Sequence, residues 1–73
     1  MTVYNEILAH YDNNQTRNHY NNTVAAMSDS EGVESYDDAV KNIASAVHEN
    51  NGNLDDAIAM YDSMIASLQD YIN

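Results

Sequence analysis

Leu54, Ile58, Tyr61, Ile65, Leu68 and Ile72 follow one another at intervals of 4, 3, 4, 3 and 4 residues, the spacing that gathers side chains on one stripe of an α-helix. Asn53 stands just before the stripe, and Asp55 and Asp56 fall in its first turn. A side-chain cap and carboxylates at the positive end of the helix dipole both fit there. The apolar face continues nearly to Asn73, which predicts a helix of about five turns.

Residues 36–50 repeat the arrangement, with Tyr36, Val40, Ile43 and Val47 on the stripe. Ser35 is followed three positions later by Asp38, an approximate capping box. The segment from His48 to Asn53 supplies a stop and a new start. Gly52 is expected to take a left-handed conformation at the helix end, and Asn53 to cap the next helix. So short a connection makes the two helices antiparallel neighbours. A faint repeat at an offset of 18 aligns Tyr36-Asp37-Asp38-Ala39-Val40 with Leu54-Asp55-Asp56-Ala57-Ile58. Any two helices with acidic first turns and one apolar stripe would share that likeness. The run Leu54–Tyr61 slightly resembles the second helix of a tetratricopeptide unit, but the preceding segment lacks that family's Trp and Gly pattern, and the chain is not assigned to it.

The first half is less regular. Thr2 is placed to cap a helix carrying Tyr4, Ile7, Leu8 and Tyr11, and Tyr20, Val24 and Met27 form a second short stripe. One continuous helix would turn Val24 about 160° away from Tyr4, so both sets would not meet the same surface. Asp12-Asn13-Asn14-Gln15-Thr16 supplies a break, because Asn and Asp side chains compete for backbone hydrogen bonds. Ser28–Glu34 then reads as an acidic loop. The expected fold is all-α, a small antiparallel bundle of three or four helices, with four preferred and a core holding Leu54, Ile58, Ile65 and Leu68.

Its 73 residues make one domain, 1–73, with a thin core and no room for a large enclosed active site. Six tyrosines without Phe or Trp make a weak aromatic complement, and Tyr36 and Tyr61 are expected to be half-buried. With no Cys there is no disulfide framework or Cys-based zinc site. Twelve acids against two bases give a net charge of −10, which disfavours nucleic acid and anionic membranes as direct partners. No apolar run approaches the roughly 20 residues of a membrane span, and no leader pattern opens the chain. A cytoplasmic location is expected, the host cytoplasm if the chain is phage-encoded.

Chemical motifs are sparse. Glu6 and His10 are four apart on a helix, with Asp12 near, but they match no metal spacing, and neither glycine falls at the centre of a calcium loop. Asp37-Asp38 and Asp55-Asp56 point about 100° apart on their helices and serve first turns better than catalysis. There is no phosphate cradle or nucleophile elbow, so no enzyme activity and no cofactor are expected.

The acidic surface remains. Asp56, Ser63 and Asp70 are spaced by sevens and project from a similar side of the last helix, with Asp55 and Asp62 in an adjoining row. Asp37, Asp38, Asp55, Asp56, Asp62, Asp70 and the exposed Tyr71 are therefore the candidate partner-binding residues. The expected partner is the basic groove of a protein, such as a nucleic-acid-binding enzyme, in which the carboxylates stand where phosphates are expected. In size and charge the chain resembles small acidic phage proteins that block restriction or CRISPR enzymes, a likeness of type that assigns no residue. The alternatives are a helical adaptor or regulatory subunit binding through an apolar strip, and an acidic protein without mimicry. A homodimer through Ile65, Leu68 and Ile72 is a further expectation from the small size.

Overall fold

Four helices make up the computed structural model, which describes residues 2–72: α1 (Val3–His10), α2 (Asn14–Ala26), α3 (Tyr36–Glu49) and α4 (Leu54–Gln69). Each begins on a side chain that accepts a backbone N–H three residues on. Thr2 receives Asn5 at 3.2 Å, Asn13 receives Thr16 at 2.8 Å, Ser35 receives Asp38 at 3.2 Å and Asn53 receives Asp56 at 3.2 Å. A cap of this kind contributes about 1 kcal/mol. The architecture is the all-α antiparallel bundle read from the periodicity, with four helices rather than three.

Asn13 makes the break in the first half. Its side-chain amide donates to the carbonyl of His10 at 3.1 Å, at the end of α1, while its Oδ1 caps α2. One residue thus closes one helix and opens the next.

The α3–α4 hairpin turns differently from expectation. The left-handed residue is Asn51, with φ 56°, and not Gly52. The Asn51 N–H donates to His48 at 3.2 Å and the Gly52 N–H to Val47 at 2.8 Å, the paired bonds of a Schellman turn. Asn tolerates that conformation better than most residues. Gly52 is needed for room instead: a Cβ there would lie 2.7 Å from Asp56 Oδ2 and 3.0 Å from Val47 Cγ1. The Asp56 carboxylate is held in place because it accepts the Asn53 N–H at 2.9 Å, completing a reciprocal capping box.

α1 and α2 lie along this hairpin without packing on each other. The Tyr36 hydroxyl donates to the carbonyl of Tyr11 at 2.6 Å, which places the end of α1 at the start of α3, so α1 runs back along α3. The Tyr61 hydroxyl reaches the carbonyl of Thr16 at 3.5 Å, and Met27 forms an antiparallel bridge with Ile72. α2 therefore follows the second half of α4 in the same direction. The result is elongated, 39 × 22 × 18 Å.

Four tyrosines occupy the middle of the core. Tyr11 stacks on Tyr61 with ring centroids 4.7 Å apart, and Tyr36 meets Tyr20 and Tyr61 edge-on at 5.6 and 6.5 Å. Tyr36 and Tyr61 are buried, not half-buried, because their hydroxyls find backbone carbonyls inside the fold. Ile7, Ala44 and Ala57 are fully enclosed around this cluster. Of the four core residues expected on α4, Ile65 is buried, while Leu54, Ile58 and Leu68 are half-buried. The physical reason is that α1 and α2 lie end to end along the hairpin and each covers only part of α4, so the stripe is incompletely enclosed.

The last helix ends at Gln69, short of the expected reach to Asn73, which lies outside the described residues. Asp70 stands at the C-cap, where a carboxylate opposes the negative end of the dipole. The chain then turns back, and Ser28 donates to the Tyr71 carbonyl from its N–H at 3.0 Å and its hydroxyl at 3.1 Å. Met27 likewise leaves the helical stripe and is extended. Among the described residues no helix is long and apolar enough to cross a membrane.

Candidate interaction surface

All twelve carboxylate side chains are exposed. The ion pair among the described residues joins Arg17 to Asp37 at 2.9 Å, between the first turns of α2 and α3. The Arg17 guanidinium also lies over the Tyr36 ring, 4.8 Å from its centroid. The hydrogen bond from Arg17, supported by the charges of Arg17 and Lys41, holds the Asp37 carboxyl below its ordinary range. Lys41 lines the same cleft, of about 290 Å³, with Asp12 and Val40. Both cations of the chain therefore face one site at the junction of α1, α2 and α3.

The seven candidate residues do not form one patch. α3 and α4 are antiparallel, so Asp37 and Asp38 stand at the same end as Asp70 and Tyr71, and Asp55 and Asp56 stand at the other. Asp62 lies between them. Asp37 is engaged by Arg17 and Asp56 by the Asn53 backbone, whereas Asp38, Asp55, Asp62 and Asp70 carry no cation partner among the described residues. Tyr71 is 62 % exposed, in keeping with its reading as a surface residue, and its carbonyl is anchored by Ser28.

Asp62 borders the aromatic cluster. Burial, then the Asp62 charge and the neighbouring Tyr61, push the Tyr11 hydroxyl up to about 12. Tyr61 is also pushed up to about 12, by burial first and then by Tyr36, Tyr20 and Asp62. Tyr20 and Tyr36 are raised chiefly by burial. The Tyr20, Tyr36 and Tyr61 hydroxyls are structural donors, and the bond from Tyr20 to the Glu34 carbonyl fixes the end of the acidic loop.

A second concavity, of about 450 Å³, is formed by α3 and α4 alone. Ile43 makes one wall, and Ala59, Met60, Ser63, Met64 and Ser67 make the other. Met60 is 40 % exposed. Sequence reasoning placed Ser63 in register with Asp56 and Asp70 but assigned no role to Met60 or Met64. The missed signal is the recurrence of Ala59, Ser63 and Ser67 every fourth residue, a row of small side chains beside the core stripe. Ile65, expected to meet a second copy, is instead buried in the chain's own core.

Comparison with family models, curated proteins and solved structures gives no match.

Proposed function

We propose that this is a non-enzymatic acidic protein that binds a basic protein surface, competing there with nucleic acid. The observation that carries the reading is that every carboxylate is exposed while a single ion pair joins described side chains. A fold that bears such self-repulsion without internal compensation is suited to an external cationic partner. Long-range attraction speeds encounter with a basic groove, and a few close carboxylate–guanidinium pairs give specificity. Asp38, Asp55, Asp62 and Asp70 are the free members of the surface, with Tyr71 adding contact area.

The test immobilises the protein, captures partners at about 50 mM salt and challenges them with duplex DNA or with about 200 mM salt. Mimicry predicts that the captured proteins bind nucleic acid and are released by both challenges. Asp62→Asn with Asp70→Asn should weaken capture by about twofold to thirtyfold, at about 0.2–1 kcal/mol per exposed pair, and reduce the salt dependence. Both positions lie beyond the first turn of α4, so helicity and melting should be preserved. Partners that resist DNA and salt alike would replace this reading with that of an adaptor binding through an apolar strip.

A further inference from the structure

The α3–α4 groove has a defined chemistry along its length. Its α4 side combines the small Ala59, Ser63 and Ser67, which let another backbone come close, with Met60 and Met64, whose flexible thioethers adapt to varied side chains. The line continues to Asp56 one turn before and to Asp70 one turn after, each seven residues from Ser63. Both are exposed, and at 1.5 Å per residue they bracket about 21 Å of helix. Arg17 and Lys41 line the other cleft, and the groove itself is lined by no charged residue. A shallow, open and largely apolar face, with a carboxylate on the same line of α4 beyond each end, is complementary to a helix with an apolar stripe and cationic ends.

We propose that this groove receives an amphipathic cationic helix of the partner protein. Its aliphatic or aromatic face rests on Ile43, Met60 and Met64, and Lys or Arg near its two ends pairs with Asp70 and with the Asp56 carboxylate oxygen that the Asn53 N–H leaves free. The inference rests on the reading of a basic partner and names the element that the partner inserts. Recognition helices that enter the major groove of DNA are elements of this kind, so occupying one here would remove it from nucleic acid. A second copy of the chain fits less well: two antiparallel α4 helices would set Asp56 of each against Asp70 of the other, and both copies carry −10.

The probe is a synthetic peptide of about 18 residues, with leucines and a tryptophan on one helical face and lysines and arginines elsewhere. Its control has the same composition scrambled to destroy the period. At about 150 mM salt the amphipathic peptide should bind at least about tenfold more tightly than the control and gain helicity. Met60→Gln or Ser63→Gln, both at exposed positions, should remove about tenfold of that affinity and leave binding of the scrambled peptide unchanged. Melting curves check that each variant is folded. Equal affinity for the two peptides would overturn the groove and leave the basic-partner reading standing; binding of neither would overturn both. Variants that match the parent in peptide affinity, or sedimentation showing that the groove is closed by self-dimerisation, would also reject it.

Discussion

Replacing Tyr36 with Ala is expected to lower stability by about 3–5 kcal/mol, the range for removing a large buried aromatic ring. The ring is 3 % exposed and touches Tyr20 and Tyr61, with Arg17 above it. Its hydroxyl also satisfies the Tyr11 carbonyl at the end of α1. At about 0.05–0.15 kcal/mol per residue, the total for a chain of this size is about 4–11 kcal/mol, so the variant should be largely unfolded or close to it. Tyr36→Phe separates the two contributions. It retains the packing and leaves the Tyr11 carbonyl unpaired, at about 1–3 kcal/mol. Thermal and urea unfolding followed by circular dichroism measure both. A Tyr36→Ala protein melting within a few degrees of the parent would show that the cluster is peripheral to the core.

The second large effect is alkaline unfolding. Tyr11 and Tyr61 ionise near the ordinary value of 10.0 in the unfolded chain and near about 12 in the folded one. Below pH 10 both states keep these protons, and the full stabilisation is present. Between the two values the unfolded chain releases protons that the folded protein retains, so stability falls as pH rises. Tyr20 and Tyr36 act in the same direction. The transition should therefore be cooperative, with tyrosinate absorbance and loss of helical ellipticity rising together. Asp62→Asn should move the Tyr11 and Tyr61 ionisations downward, because the Asp62 charge is among the causes holding them up. Complete tyrosinate formation at native ellipticity would contradict the buried cluster, as would a melting temperature that stays flat from neutral pH to about 12.

The hairpin was the most legible part of this chain, because its caps and stripes are local. Ser35, Asn53 and the break at Asn13 follow from side chains that bond the backbone three residues away, and such bonds leave a pattern in the sequence. The tyrosine cluster did not. Tyr11, Tyr20, Tyr36 and Tyr61 come from four helices or helix ends, and the hydroxyls of Tyr36, Tyr61 and Tyr20 are satisfied by carbonyls at Tyr11, Thr16 and Glu34 that periodicity does not locate. The Asn51 turn was missed for a similar reason. Gly52 has the greater conformational freedom, but the contact that demands a glycine there is with Asp56, on the following helix. On the candidate surface, the exposure of Tyr71 and the register of Asp56, Ser63 and Asp70 were readable from spacing. The pairing of Arg17 with Asp37 joins residues 20 apart on separate helices and needed the fold.

The three connections differ in how much change of length they can absorb. At Asp12–Asn13, Asn13 bonds the His10 carbonyl at the end of α1 and caps α2 through Thr16, so one inserted or deleted residue there would break one of these two bonds. At Asn50–Asn53 the end of one helix overlaps the capping box of the next, and the space at Gly52 is already filled by Asp56 and Val47. The acidic connection is different. Its ends are held at Ser28 and Glu34, and Asp29, Ser30, Glu31 and Gly32 are exposed, with Gly32 alone, at φ 84°, demanding a particular residue. Insertions and deletions are thereby channelled into that one segment, where lengthening the chain adds or removes surface charge without disturbing the phase of any helix.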